Sequence, residues 1–174
     1  KLTNGVEFLF KKNNIQHIVG LASIEKDNIV KVNQVKYKAS NIIIASGSYP
    51  TQLKGIDIDE DVIVSSTGAL CFKKVPKKLA VIGAGYIGLE LGSVWSRLGS
   101  EVTVIEYADS IVPSMDADIG IAFRNALQKQ GINFLLSSEV TKAKIKNDAV
   151  HIDINSIKDK KVTKLVFNRA LLAV

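Results

Sequence analysis

The chain has 174 residues, 47% of them hydrophobic, and a formal net charge of +6, enough to bury a core as one domain or one and a half. It carries no run of about 18 apolar residues and no basic-then-apolar leader, so a soluble chain without export or membrane signals is expected. Its single cysteine, Cys71, excludes a disulfide framework or a cysteine-built zinc site within these residues and suits a reducing compartment.

The positive charge does not form a nucleic-acid footprint. Only Arg97, Arg124 and Arg169 are arginines, and the lysines alternate with acids, as in SIKDKKVTK at 156–164. Aromatic residues are few and not interleaved with the basic ones, so the pattern reads as a solvated face.

In chain order, the first fifty residues hold short β-branched runs at 15–24, 28–33, 35–39 and 41–48, separated by polar turns. Their spacing predicts an antiparallel meander. The fourth run, NIIIASGS, is apolar without alternation and predicts a strand covered on both faces. Gly47, Pro50 and Gly55 then fall in a turn-rich loop, which predicts a domain crossover, with one piece over 1–52 and a second domain over 53–174.

Pro76 opens a segment of different character. KLAVIG at 78–83 predicts a buried strand, and Ile87, Leu91, Val94, Trp95 and Leu98 form one helical stripe over 86–98, stopped by Gly99. EVTVIE at 101–106 is the next strand. A second helix is predicted over 116–130, stopped by Gly131, and strands over 132–136, 139–145, 149–154, 161–167 and 170–174. The order βαβαβ followed by a small meander predicts an α/β fold: half of a doubly wound, Rossmann-like nucleotide-binding sheet.

Gly83, Gly85 and Gly88 stand between a strand and a helix, with Tyr86 and Ile87 inside the pattern. In that context the first glycine permits a tight turn, the second lets backbone approach a pyrophosphate, and the third seats the helix on the sheet. The N–H groups and positive dipole end at the start of the helix suit an anion. Glu106 ends the second strand 23 residues after Gly83, where its carboxylate can accept hydrogen bonds from ribose hydroxyls and repel a 2′-phosphate. With no arginine in the residues that follow, NAD is favoured over NADP. A ligand-free strand, turn and helix is the alternative.

Other residues carry less. Glu90, in the first turns of the helix, is as readily a dipole partner as a ligand contact. His17 and His151 have no acidic or nucleophilic neighbour at a catalytic spacing, Trp95 belongs to the helix stripe, and a buried thiol is the default for Cys71. No nucleophilic triad, metal cluster or carboxylate pair is legible.

IIIASGSYP, IVSSTGAL, VIGAGYIGLELGSVWSRLGSEVTVIE and ALQKQGINF together resemble the dihydrolipoyl dehydrogenase family of flavoprotein disulfide reductases, over essentially the whole chain. The resemblance implies FAD and NAD as cofactors. It places Gly83, Gly85, Tyr86, Ile87, Gly88, Glu90, Glu106 and Val140 at NAD, and Ser46, Gly47, Ser48 and Ala22 at FAD. Ser46 stands where the family usually has threonine, which keeps the hydroxyl. It also implies electron flow from dihydrolipoyl groups through a redox disulfide and FAD to NAD, with lipoyl domains of 2-oxoacid dehydrogenase complexes or of the glycine cleavage system as partners. A homodimeric parent, in bacterial cytoplasm or mitochondrial matrix, is expected. The first glycine fingerprint for FAD, the paired cysteines and the histidine–glutamate pair of the family are absent from these residues, so the expectation is the middle of a longer enzyme, without turnover of its own. A sibling reductase (mercuric reductase, soluble transhydrogenase or NADH oxidase) or a stand-alone nucleotide-binding module is the alternative.

Overall fold

A computed structural model describes residues 2–174, which divide into two compact units, 2–48 and Tyr49–Val174. The first contains helix α1 (Leu2–Lys12) and a meander of β1 (Ala22–Glu25), β2 (Ile29–Val32) and β3 (Val35–Lys38). Asp27 and Asn28 in the first hairpin and Asn33 in the second have positive φ, a conformation that Asn and Asp tolerate and that matches the twist of tight hairpins. The meander was legible; α1 was not.

Two expectations for this unit fail. Of residues 15–24 only the end joins the sheet, since β1 begins at Ala22. Residues 41–48 form no strand, and Ile43 and Ile44 are 91% and 72% exposed. A strand covered on both faces needs ladder partners along its edges, and none of the three strands of this unit pairs with that run.

The second unit is built on a five-stranded parallel sheet. Its strands are β4 (Ile63–Val64), β5 (Lys78–Ile82), β6 (Glu101–Ile105), β7 (Asn133–Leu135) and β11 (Arg169–Leu172), ordered β4-β11-β5-β6-β7. Helix α2 (Ser66–Ala69) follows β4, α3 (Tyr86–Arg97) joins β5 to β6, and α4 (Ala117–Lys129) joins β6 to β7. The antiparallel meander β8 (Ser138–Lys146), β9 (Ala149–Ser156) and β10 (Val162–Phe167) lies between β7 and β11 in the chain.

Alternate residues of the central strands face two separate cores. Leu79, Val81, Val102 and Val104 pack with Leu89, Trp95 and Leu127 of α3 and α4, while Ala80, Ile82 and Ile105 pack with Val150, Ile152 and Ile154 of the meander. Residues 79–82 and 102–105 are therefore buried on both sides, which explains the unbroken apolar run of the first and the apolar run of the second, interrupted only by the buried Thr103. The α/β architecture predicted from sequence is the one observed, with helices on one face and the meander on the other. Gly99 and Gly131, with φ of 106° and 92°, end α3 and α4 as left-handed caps.

A side chain with no evident signal in the sequence fixes the entry to β4. Asp59 Oδ1 accepts hydrogen bonds from the N–H groups of Asp61, Val62 and Ile63 at 3.1, 2.8 and 2.9 Å. Partial burial opposes its charge, but these backbone donors outweigh that and hold its carboxyl below the ordinary carboxylate range. A folded-state pKa below the unfolded value gives stability that is complete above the unfolded pKa and is lost as pH falls through the folded one. Asp59→Ala is expected to lower unfolding free energy by about 1–2 kcal/mol at neutral pH, with the difference from wild type shrinking below about pH 4, as urea unfolding at several pH values would measure.

Candidate functional site

The strand order reverses at β5. The chain proceeds from β5 through α3 to β6 on one side, and β11 returns to pair with β5 on the other, in parallel register from Arg169↔Leu79 to Leu172↔Ile82. Open α/β sheets bind ligands outside the carboxyl ends of their strands at such a switch point. The Gly83 turn stands there.

Each glycine of the turn has a distinct environment. Gly83 has φ 103°, and a Cβ on it would run into the Ala173 carbonyl. A Cβ on Gly88 would lie 2.6 Å from the Gly83 carbonyl oxygen and 3.0 Å from Val81 Cγ1, so its absence lets α3 rest on β5. A Cβ on Gly85 would meet nothing within 4 Å; that space opens outward. Gly85 is also the N-cap of α3, with no side-chain capping bond. The N–H groups of Tyr86, Ile87 and Gly88 find no acceptor among the described residues, as expected for the first turn of a helix. Three N–H groups of the predicted pattern thus form an uncapped helix start beside the open approach over Gly85.

Glu106 follows β6 directly. Its Oε2 accepts the Ala84 N–H at 2.6 Å and its Oε1 accepts the Ala108 N–H at 2.8 Å. Gly83, Glu106 and Val140 line a cleft of about 330 Å³ together with Ile82, Ile105, Tyr107, Ser138, Glu139, Val174, Leu53 and Lys54. Two carboxylates and one ammonium face this cleft, a balance that disfavours an added phosphate there.

The structure thus brings together three predicted residues, Gly83, Glu106 and Val140, in one cleft, and sets Gly85, Tyr86, Ile87 and Gly88 at the helix start next to Gly83. Glu90 lies further along α3 and is exposed, with no place among the cleft residues. Lys54 and Glu139 were not foreseen. Lys54 stands in a loop 52 positions before Glu106 with no motif around it, whereas Glu139 was within reach as the neighbour of Val140. Ala22, Ser46, Gly47 and Ser48 belong to the first unit, where all four are exposed. Cys71 is exposed, contrary to the expected buried thiol. Trp95 packs against Phe72, with ring centroids 5.3 Å apart. Among the described residues no group of His, Cys, Asp and Glu is placed to hold a metal ion, and no helix is long and apolar enough to cross a membrane.

A parallel sheet whose switch point carries a glycine turn, a free helix start and a terminal acid defines the class of dinucleotide-binding α/β units. More particularly, the chain belongs to the pyridine nucleotide-disulphide oxidoreductase family, which matches residues 1–174. Membership implies a pyridine nucleotide and FAD as cofactors. The chain is 46% identical to dihydrolipoamide dehydrogenase of Chaetomium thermophilum over 99% of its length and 36% of the relative's. It is 48% identical to mitochondrial dihydrolipoyl dehydrogenase of Pisum sativum over 88% of the chain and 32% of that protein. Among solved structures, the HOCl-induced flavoprotein disulfide reductase RclA from Escherichia coli aligns with TM-score 0.73 and 28% identity over 97% of this chain and 40% of that one. The chain therefore spans about a third of the length of the curated relatives it matches.

The glycine environments differ in the room they leave for a side chain. Gly83→Ala is expected to cost roughly 2–4 kcal/mol, because the left-handed backbone and the Ala173 carbonyl both oppose a side chain. Gly92, where a Cβ would make ordinary contacts at 3.4 and 3.5 Å with Val81 and Val102, is expected to gain about 0.5–1 kcal/mol as Ala through helix propensity. Guanidinium unfolding of the two variants checks both signs.

Proposed function

We propose that these residues are the NAD-binding part of a dihydrolipoyl dehydrogenase, a flavoenzyme that oxidises protein-bound dihydrolipoyl groups and reduces NAD. The observation that carries the proposal is the juxtaposition, at the switch point of the sheet, of the uncapped start of α3, the open approach over Gly85 and the Glu106 carboxylate. The 45–49% identity to proteins named dihydrolipoyl or dihydrolipoamide dehydrogenase supports the choice of reaction.

In this reading the N–H groups of Tyr86, Ile87 and Gly88 hold the pyrophosphate, aided by the helix dipole. Glu106 accepts the hydroxyls of the adenosine ribose and excludes a 2′-phosphate by like charge. Val140 bounds the adenine side of the cleft, and Glu90, in the first turns of α3, acts on the helix dipole or as a further NAD contact. Residues 1–52 belong to the FAD-binding domain and 53–174 to the NAD-binding domain, with Ser46, Gly47, Ser48 and Ala22 supplying part of the flavin surface. Held by the start of α3 and Glu106, NAD would supply a hydride acceptor, and FAD would supply the relay of electrons from a dithiol. With Cys71 as their single cysteine, these 174 residues hold no redox disulfide and bind the cofactor without turnover. The longer protein is a homodimer serving lipoyl domains of 2-oxoacid complexes or of the glycine cleavage system, in bacterial cytoplasm or mitochondrial matrix. A sibling flavoprotein disulfide reductase is the second reading, favoured by the likeness to RclA over 97% of the chain.

NADH is expected to bind more tightly than NADPH by at least about tenfold, the factor that corresponds to ~1.4 kcal/mol. Gly85→Val is expected to remove binding of both while changing stability by no more than about 1 kcal/mol, since the side chain would fill only the open approach. Fluorescence titration with thermal unfolding of the same samples tests this. Equal affinities for NADH and NADPH would contradict the role given to Glu106, and unaltered binding by a folded Gly85→Val would contradict the pyrophosphate position.

A further inference from the structure

Glu106 is held in a way that a ribose contact alone does not require. Each of its carboxylate oxygens accepts one backbone N–H, that of Ala84 at 2.6 Å and that of Ala108 at 2.8 Å. Ala84 lies between Gly83 and Gly85 and is fully buried. Its N–H therefore has no access to water, and Glu106 is its acceptor. A buried donor left unpaired is costly, and a charged acceptor gives the stronger bond.

The rest of the turn is tied to the same strand end. Gly83 N–H donates to the Ile105 carbonyl at 2.9 Å, and the Ala84 carbonyl accepts the Val112 N–H at 2.9 Å. Glu106 is fixed through its own backbone, donating to the Leu135 carbonyl at 2.8 Å and accepting from the Ser138 N–H at 2.9 Å. The side chain thus joins a rigid strand end to the glycine turn. Each carboxylate oxygen accepts two hydrogen bonds, so one site on each oxygen remains available to a ligand hydroxyl.

We propose that Glu106 is a positioning residue for the phosphate site: by accepting the Ala84 N–H it holds the glycine turn in its binding shape before a dinucleotide arrives. This rests on the NAD reading of the cleft and adds to it a second role for the acid. Glu106→Ala removes both acceptors. Glu106→Gln keeps the size of the side chain but leaves one oxygen for two N–H groups, because an amide NH₂ cannot accept.

Two measurements on wild type, Glu106→Ala and Glu106→Gln test the proposal. The first is amide hydrogen exchange without ligand. Exchange at Ala84 is expected to quicken by about tenfold or more in Glu106→Ala, and at Ala84 or Ala108 in Glu106→Gln, with Val150 and Ile152 of β9 unchanged. The second is affinity for NADH and for its analogue lacking both the 2′- and 3′-hydroxyls of the adenosine ribose. A residue that only reads those hydroxyls leaves analogue affinity equal in wild type and variants; a residue that also holds the turn lowers it in both variants. Unchanged exchange at Ala84 and Ala108, or equal analogue affinities, would overturn the proposal. Should wild type bind no NADH, the NAD reading fails, and exchange at Ala84 still decides whether Glu106 holds the turn.

Discussion

Everything at the carboxyl end of the sheet depends on how closely the backbone passes at Gly83. β5 and β11 are hydrogen-bonded neighbours that end side by side, so the turn leaving β5 meets the Ala173 carbonyl with no room for a side chain. The left-handed backbone of Gly83 turns the chain there, and the missing side chain of Gly88 then lets α3 settle on the turn. The helix start consequently lies at the switch point, with its first N–H groups uncommitted. A side chain at Gly83 or Gly88 would move the helix away and break that placement.

Charge completes what the backbone arranges. The helix start offers donors and the positive end of a dipole, while the cleft alongside presents Glu106 and Glu139 with Lys54 as the one cation. An elongated ligand with phosphates at one point and neutral hydroxyls a short distance away meets both conditions, whereas a phosphate on the hydroxyl side meets one only. The far end of the sheet differs. There a second cleft is lined by Lys73, Lys74, Lys77 and Arg169 together with Glu60 and Asp61, and no glycine turn or long helix start faces it.

Much of this was legible because its signals are local. A run such as LAVIG buried by a helix on one side and a meander on the other must be apolar throughout, and glycines spaced to make a turn and then seat a helix leave a recognisable pattern. The unpredicted features depend on distant partners. Lys54 reaches the cleft from a loop with no motif, and the bond from Ala84 to Glu106 joins residues 22 apart. Residues 41–48 were misread in the opposite sense: their apolar run signals a covered strand, and the unit that contains them supplies no ladder partner. In α1, Leu2, Val6 and Leu9 do follow a helical spacing, but none of the helix is buried within its unit, so the pattern lacked a core to confirm it.

Family membership and the cleft support the same account from independent directions, one from identity along the chain and the other from donors and acids at a single point. The central claim is that a dinucleotide lies across the Gly83 turn with its phosphates on the start of α3. The most direct measurement is a titration of isotopically labelled protein with NAD, following backbone amide resonances. The account predicts saturable shifts at Tyr86, Ile87 and Gly88, and smaller ones at Glu106 and Val140. Saturable shifts confined to other parts of the chain, or none at these amides at millimolar NAD, would contradict it.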